Sequence, residues 1–388
     1  MKKPTVVFEQ AFIPHYRVPF FTKLASRVNL IVVASTGRTA DGTANVITPL
    51  PFRVLRIPEM QAGAGLHEGM LDLLIETRAD AYISYRGPLE KIFLDSTLRR
   101  RLADLHLKTL WLGCDGYWAQ HFQLEKYFRY LRFWRPRSVY YAVREIWAMR
   151  RVDGFLAYSS HTADYFSIVC GVPPEKITVV KNAVDISGFE EAAANRRIKN
   201  APRDAQLIVY LGRLTPSKRP DLLVNALRHI RTEFPAARLL MIGEGSERLR
   251  LQILAQSEGV ADYVQFAGGV YGDKALVDHL CRASLAVMPG LGGLGFNTLM
   301  AAALPIIYTR ADGSEKDLIT EGYNGWQFNG GLADLIKKLK QALSDPARLR
   351  RYGEHSRQRI MSEFKLDTMV DRYVEGITKA LNIHHENY

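Results

Sequence analysis

Arg213 and Lys218 flank a short turn in the stretch Tyr210-Leu-Gly-Arg-Leu-Thr-Pro-Ser-Lys-Arg-Pro-Asp. Leu207–Leu211 before them form an apolar run of strand character, and Leu223, Leu227, Ile230 and Phe234 after them recur at helical spacing. Residues 212–219 therefore bridge a strand end and a helix start, where unpaired backbone N–H groups and the positive end of the helix dipole favour an anion. Two added cations suit a diphosphate, and fixed positive charge at that point would stabilise a phosphate leaving group. Taken alone, the same residues also read as a solvated helix start.

The elements that position this turn are legible around it. From Gln206 onward strands and helices alternate, with strands at Leu207–Leu211, Leu239–Ile242, Val264–Ala267, Leu285–Met288, Ile306–Tyr308 and Gly325–Phe328. The first half repeats the scheme less regularly, at Val6–Glu9, Leu30–Ala34, Ala81–Tyr85, Thr109–Leu112, Phe155–Tyr158 and Ile177–Val180. Such alternation predicts parallel sheets covered by helices on both faces, with ligands beyond the carboxyl ends of the strands. A chain of 388 residues exceeds one ordinary core, so two domains are expected. Residues 1–189 form the first domain, 190–205 a linker without apolar periodicity, 206–365 the second domain, and 366–388 a helix returning to the first.

The formal charge of +12 fits a nucleotide or phosphate ligand, an anionic membrane surface or nucleic acid. Three cysteines, Cys114, Cys170 and Cys281, match no metal or disulfide spacing, which points to a reducing cytosol and no metal site. The N-terminal apolar segment is broken too early, by Glu9, for a signal peptide. The uncharged run Ala283–Thr309 is long enough for a membrane span, but Pro289, four glycines and Pro305 divide it into strand, loop, short helix and strand.

Ile177-Thr-Val-Val-Lys-Asn-Ala-Val-Asp, the Gly212–Lys218 turn, Leu240-Met-Ile-Gly-Glu-Gly-Ser-Glu, Val264-Gln-Phe-Ala-Gly-Gly-Val, and Met288-Pro-Gly followed by a glycine-rich turn and Leu304-Pro-Ile-Ile occur in this order. Together they resemble the GT-B-fold glycosyltransferases, and within them the family 4 retaining enzymes. The opening Ile13-Pro-His-Tyr-Arg-Val-Pro-Phe-Phe and Leu110-Trp-Leu-Gly-Cys-Asp-Gly are similar to bacterial members that build lipid-linked polysaccharides. The resemblance implies two Rossmann-like domains facing a cleft, a nucleotide-diphosphate sugar as donor substrate, and no cofactor. It implies a hexosyl unit passing with retention to a lipid-linked or polysaccharide acceptor.

By that resemblance Arg213 and Lys218 contact the donor diphosphate, the leaving phosphate takes the acceptor proton, and Gly268 and Gly269 hold the nucleotide base with their backbone. The family's two glutamates, eight positions apart, fall on Gly290 and Thr298, neither of them a carboxylate. Thr298 and the N–H groups of Gly292, Gly293, Leu294 and Gly295 are left to meet hydroxyl or phosphate oxygens. In the first half, Asp115 follows the Thr109–Leu112 strand and either contacts sugar or acceptor or caps its own loop. His15 and Arg17 lie in the first strand-to-helix loop, as ligand contacts or helix caps. Cys114 has no base at a recognisable spacing and reads as a buried thiol.

Residues 126–151 interleave cations and rings with Glu145 as the only acid. The pattern suits anionic lipid headgroups, single-stranded nucleic acid or a half-buried helix with snorkelling arginines. A lipid-linked acceptor favours the membrane, hence a cytoplasmic enzyme peripheral on the inner membrane and no nucleic acid. The rival functions are a catalytically silent homologue that regulates a partner, a GT-B epimerase or phosphorylase, and a nucleic-acid binder.

Overall fold

The computed structural model describes residues 2–35, 46, 49–57, 68–103, 105–113, 144, 146–198, 203–270, 272–309 and 313–382. Cys114, Asp115 and positions 126–143 of the basic-aromatic stretch lie outside the described residues. The chain divides into two compact units, Met1–Val184 with Leu366–Tyr388, and Asp185–Lys365. Among the described residues no helix is long and apolar enough to cross a membrane, and Ala283–Thr309 folds as strand, loop, short helix and strand.

The first unit holds β1 (Thr5–Glu9), β2 (Asn29–Ser35), β3 (Arg53–Ile57), β4 (Ala81–Ser84), β5 (Lys108–Gly113), β6 (Gly154–Ala157) and β7 (Ile177–Val179). They form one parallel sheet in the order β3-β2-β1-β4-β5-β6-β7, so the winding direction reverses between β1 and β4. Central strands are apolar throughout because both faces are covered, which is why their runs stand out in sequence. The sequence patterns miss β3, and the reason is its place. It pairs with β2 alone at the sheet edge, has no buried residue and is interrupted by Arg53 and Arg56, leaving no continuous apolar run.

Helix Leu366–Asn382 belongs to this unit. Leu366, Met369, Val370, Tyr373, Ile377 and Ala380 are buried at helical spacing, and Tyr373 packs among Phe8 and Phe20 at ring centroid distances of 6.1 and 4.7 Å. Its exposed pairs, Lys23–Asp367 at 2.6 Å and Arg27–Asp371 at 2.9 Å, add little beside that burial.

Glu9, at the carboxyl end of β1, is 2% exposed and accepts hydrogen bonds from the hydroxyls of Tyr82 and Ser84. Burial raises its pKa above the ordinary carboxylate value, against a smaller lowering by the two hydroxyls. The folded state therefore holds the proton more tightly than the unfolded chain. The stabilisation is complete below the unfolded pKa and is lost as pH rises through the folded one. Glu9→Gln, which keeps size and hydrogen bonding, should gain in Tm relative to wild type as pH rises from about 4 to 7. A difference in Tm constant across that range would show that Glu9 is not the group responsible.

The second unit holds β8 (Leu207–Leu211), β9 (Arg238–Ile242), β10 (Val264–Gly268), β11 (Leu285–Met288), β12 (Ile306–Tyr308) and β13 (Gly325–Gln327), parallel and ordered β10-β9-β8-β11-β12-β13. This is the Rossmann strand order, with its reversal between β8 and β11. Helix Asp221–Ile230 buries Leu222, Leu223, Val224, Ala226, Leu227 and Ile230 against it, and ends before Phe234, which Pro235 follows.

Residues 190–198, placed by sequence in a linker, continue a helix running Ser187–Ile198. Phe189 and Ala193 are buried, and Glu190 pairs with Arg357 at 2.7 Å. An Ala-rich stretch with so few large apolar residues carries no visible period although one side of it packs.

Candidate functional site

β8 and β11 are neighbours at the point where strand order reverses, so the loops after them border the crevice in which this architecture places ligands. The carboxyl-end loops are knitted by backbone. Gly212 N–H donates to Ile242 O at 3.0 Å, Leu214 N–H to Glu244 O at 2.9 Å, and Gly243 N–H to Gly268 O at 2.8 Å. The loop after β11 joins them where Leu291 N–H meets Ser217 O at 3.4 Å and the Lys218 ammonium donates to Leu291 O. Gly290 makes this contact possible: a Cβ there would lie 2.5 Å from Ser217 O and 2.7 Å from the carbonyl carbon of Lys218.

The turn itself departs from the sequence expectation in one respect. A 3-10 turn, Pro216–Lys218, and Arg219 with φ +50° intervene before the helix begins at Asp221. The dipole acts over the first turn only, and Asp221 already occupies it. Attraction for an anion at Arg213 and Lys218 thus rests on their side chains and the loop N–H groups.

Arg213 is exposed and Lys218 half-buried. The Arg213 carbonyl accepts a 2.7 Å hydrogen bond from the Tyr210 hydroxyl, whose ring is 1% exposed. Burial pushes the Tyr210 phenol far up, against a smaller pull down from Arg213, so it stays a neutral donor. Tyr210→Phe should cost about 1 kcal/mol of stability. It should also lower turnover by loosening Arg213. Unchanged melting and unchanged turnover together would show that the hydroxyl fixes nothing.

Gly268 ends β10, two strands from β8, a lateral offset of about 10 Å. Its φ of +75° suits glycine, and a Cβ would stand 2.9 Å from the Glu244 carboxylate, which pairs with Arg248. Gly269 follows it without regular structure. Gly292, Gly293 and Leu294 form the turn into the helix Gly295–Ala301, on which Thr298 is half-buried and Asn297 1% exposed. The structure thus sets Lys218 against the loop that leads into the Gly292–Gly295 turn, with Arg213 on the same loop as Lys218 and Gly268 and Gly269 to one side. From sequence, Glu244 is marked by nothing beyond a charge in a glycine-rich run, Asn297 by nothing beyond a polar residue in an apolar one, and Arg248, in a charged stretch, by no signal.

In the first unit His15 and Arg17 share the turn His15–Arg17 but diverge. His15 is exposed, its ring 5.5 Å from that of Tyr16, while Arg17 is 7% exposed. Arg17 Nη2 donates to the Tyr158 hydroxyl and to Asn182 Oδ1, both at 3.0 Å. Tyr158 follows β6 and Asn182 follows β7, so this contact joins loops 141 and 165 residues from Arg17, a separation that no local pattern reveals. Among the described residues no group of His, Cys, Asp and Glu side chains could hold a metal ion.

Two parallel-sheet Rossmann-like units, the second with a cationic turn at its switch point, have the architecture of the GT-B-fold glycosyltransferases. Residues 191–359 match the family model "Glycosyl transferases group 1", and residues 76–187 match "Glycosyltransferase Family 4". The two matches, one in each unit, support a family 4-like glycosyltransferase.

Its relatives include a GDP-mannose-dependent alpha-(1-6)-phosphatidylinositol monomannoside mannosyltransferase of Mycobacterium tuberculosis, 27% identical over 73% of this chain and 78% of the relative. A D-inositol 3-phosphate glycosyltransferase of Streptomyces bingchenggensis is 29% identical over 60% of this chain, and the match spans just over half of that relative, 55%. The crystal structure of HepE from Anabaena, solved with UDP, superposes with a TM-score of 0.68 at 15% identity, covering 97% of this chain and all of that one, which is a likeness of fold.

Proposed function

We propose that this nucleotide-sugar glycosyltransferase moves a hexosyl unit, with retention of anomeric configuration, to a lipid-linked or polysaccharide acceptor. The observation that carries the reading is the pair of cations on the loop after β8, tied through Lys218 to the glycine-rich loop after β11 at the sheet's switch point. Arg213 and Lys218 would neutralise the leaving diphosphate, and the N–H groups of Gly292, Gly293, Leu294 and Gly295 with Thr298 would bind its oxygens or the sugar hydroxyls. Gly268 and Gly269 would receive the base, and the donor substrate replaces any cofactor.

The first unit would take the acceptor through Arg17 and, outside the described residues, Asp115. The name of the mycobacterial relative, a transferase to a phosphatidylinositol glycolipid, supports a lipid-borne acceptor. A peripheral site on an anionic cytoplasmic membrane surface fits the cluster in which Arg151 and Arg99 flank the Trp147 ring at 3.4 and 5.8 Å.

The test is transfer from UDP-, GDP-, ADP- and dTDP-sugars to alkyl-diphosphate-linked saccharides, with the product anomer read by proton NMR. An inverted anomer would overturn retention. The second reading, a silent homologue, is favoured by Gly290 and Thr298 standing where the family carries glutamates. Isothermal titration separates the two: heat from none of the nucleotide sugars would favour the silent homologue, and heat with turnover would remove it.

A further inference from the structure

Arg17 is a nearly buried cation without an acid. Its two hydrogen-bond partners, Tyr158 and Asn182, are neutral, and the rings of Tyr158 and Phe20 lie 5.4 and 5.6 Å from its guanidinium carbon. Among the described residues no carboxylate pairs with it; Glu9, on the preceding strand, accepts from Tyr82 and Ser84 instead. Both bonds leave from Nη2, so the donors on Nε and Nη1 are unused by the described residues. Neither atom is among the partnerless buried ones, so each keeps some access to solvent.

Burying a guanidinium opposite neutral groups is unfavourable, and aromatic faces offset it in part. Such a residue persists where its charge serves a ligand. Its place suits one: the partners come from the loops after β6 and β7, and Gln10 and Tyr85, hydrogen-bonded at 2.9 Å, lie past β1 and β4, whose junction is the switch point of the first sheet. Lys181, with φ +51°, adds a cation to the loop of Asn182.

We propose that Arg17 anchors a phosphate group of the acceptor at the carboxyl edge of the first sheet. The assignment rests on the first unit being the acceptor-binding one. It adds that the acceptor is anionic and that Arg17 reads its phosphate with the forked donors such a group requires.

The test uses the full chain carrying Arg213→Ala and Lys218→Ala, which removes the other candidate phosphate site. Decyl phosphate and inorganic phosphate are titrated by calorimetry, with decanol as the uncharged control. Decyl phosphate should bind, and Arg17→Gln in the same background should weaken it at least about tenfold. Binding of inorganic phosphate as tight as that of decyl phosphate would assign a free phosphate group; preference for decyl phosphate would assign a lipid headgroup. Either supports the anchor.

Decanol binding as tightly as decyl phosphate, or decyl phosphate binding unaltered by Arg17→Gln, overturns it. So does no binding by the parent with its near-ultraviolet circular dichroism intact. Should Arg17→Gln fail to fold, Arg17→Lys decides, because it keeps the charge and loses the fork: severalfold weaker binding supports the anchor, and unchanged binding refutes it. Nucleotide binding by the chain with Arg213 and Lys218 intact is measured beside it. Absence of decyl phosphate binding by the parent, with nucleotide binding by the intact chain present, refutes the anchor alone, and the converse refutes the donor site alone.

Discussion

Alanine at Arg213 or Lys218 should slow glycosyl transfer by about 10²–10³. Breaking the bond between sugar and diphosphate builds negative charge on the leaving oxygens, and a cation fixed in advance lowers the barrier more than it strengthens ground-state binding. The two variants should differ in stability. Arg213 is exposed, so its removal should cost the fold less than that of Lys218, which donates to Leu291 O and whose loss frees the loop after β11. A further cost of about 1 kcal/mol is expected for Lys218→Ala. Steady-state kinetics with thermal melts on both proteins separates the effects, and wild-type turnover in both would remove the leaving group from this turn.

Restoring the family's glutamate at Gly290 should abolish transfer. The added Cβ would meet the backbone of Ser217 and Lys218 at 2.5–2.8 Å, and backbone cannot swing aside as a side chain can. Gly290→Ala tests the packing by itself and should cost about 1–3 kcal/mol, with turnover falling because Lys218 is displaced. Thr298→Glu is the contrast. Thr298 is half-buried on the helix Gly295–Ala301, so a longer side chain there should fold normally. Native melting and turnover for Gly290→Ala would show that the two loops part more readily than this packing implies.

The close packing at Gly290 leaves no room for the carboxylate that the family resemblance would place there. From sequence, Gly290 is a departure from a motif. In the structure it is the point where the loop after β11 rests on the turn carrying Lys218, and a side chain of any kind is excluded unless that turn moves.

Sequence alone determined the alternating parallel architecture, the positions of every strand but β3 to within a residue or two, and the cationic turn after Leu211. These are local matters: a strand covered on both faces must be apolar along its length, and a phosphate-binding turn needs its cations within a few residues. Where burial was partial the signal failed, as at β3 and at the helix Ser187–Ile198. Only tertiary structure decided which groups meet. Tyr158 and Asn182 reach Arg17 across 141 and 165 residues, and Gly290 is set by the backbone of Lys218, because contacts between loops depend on strand order, which no spacing along the chain encodes.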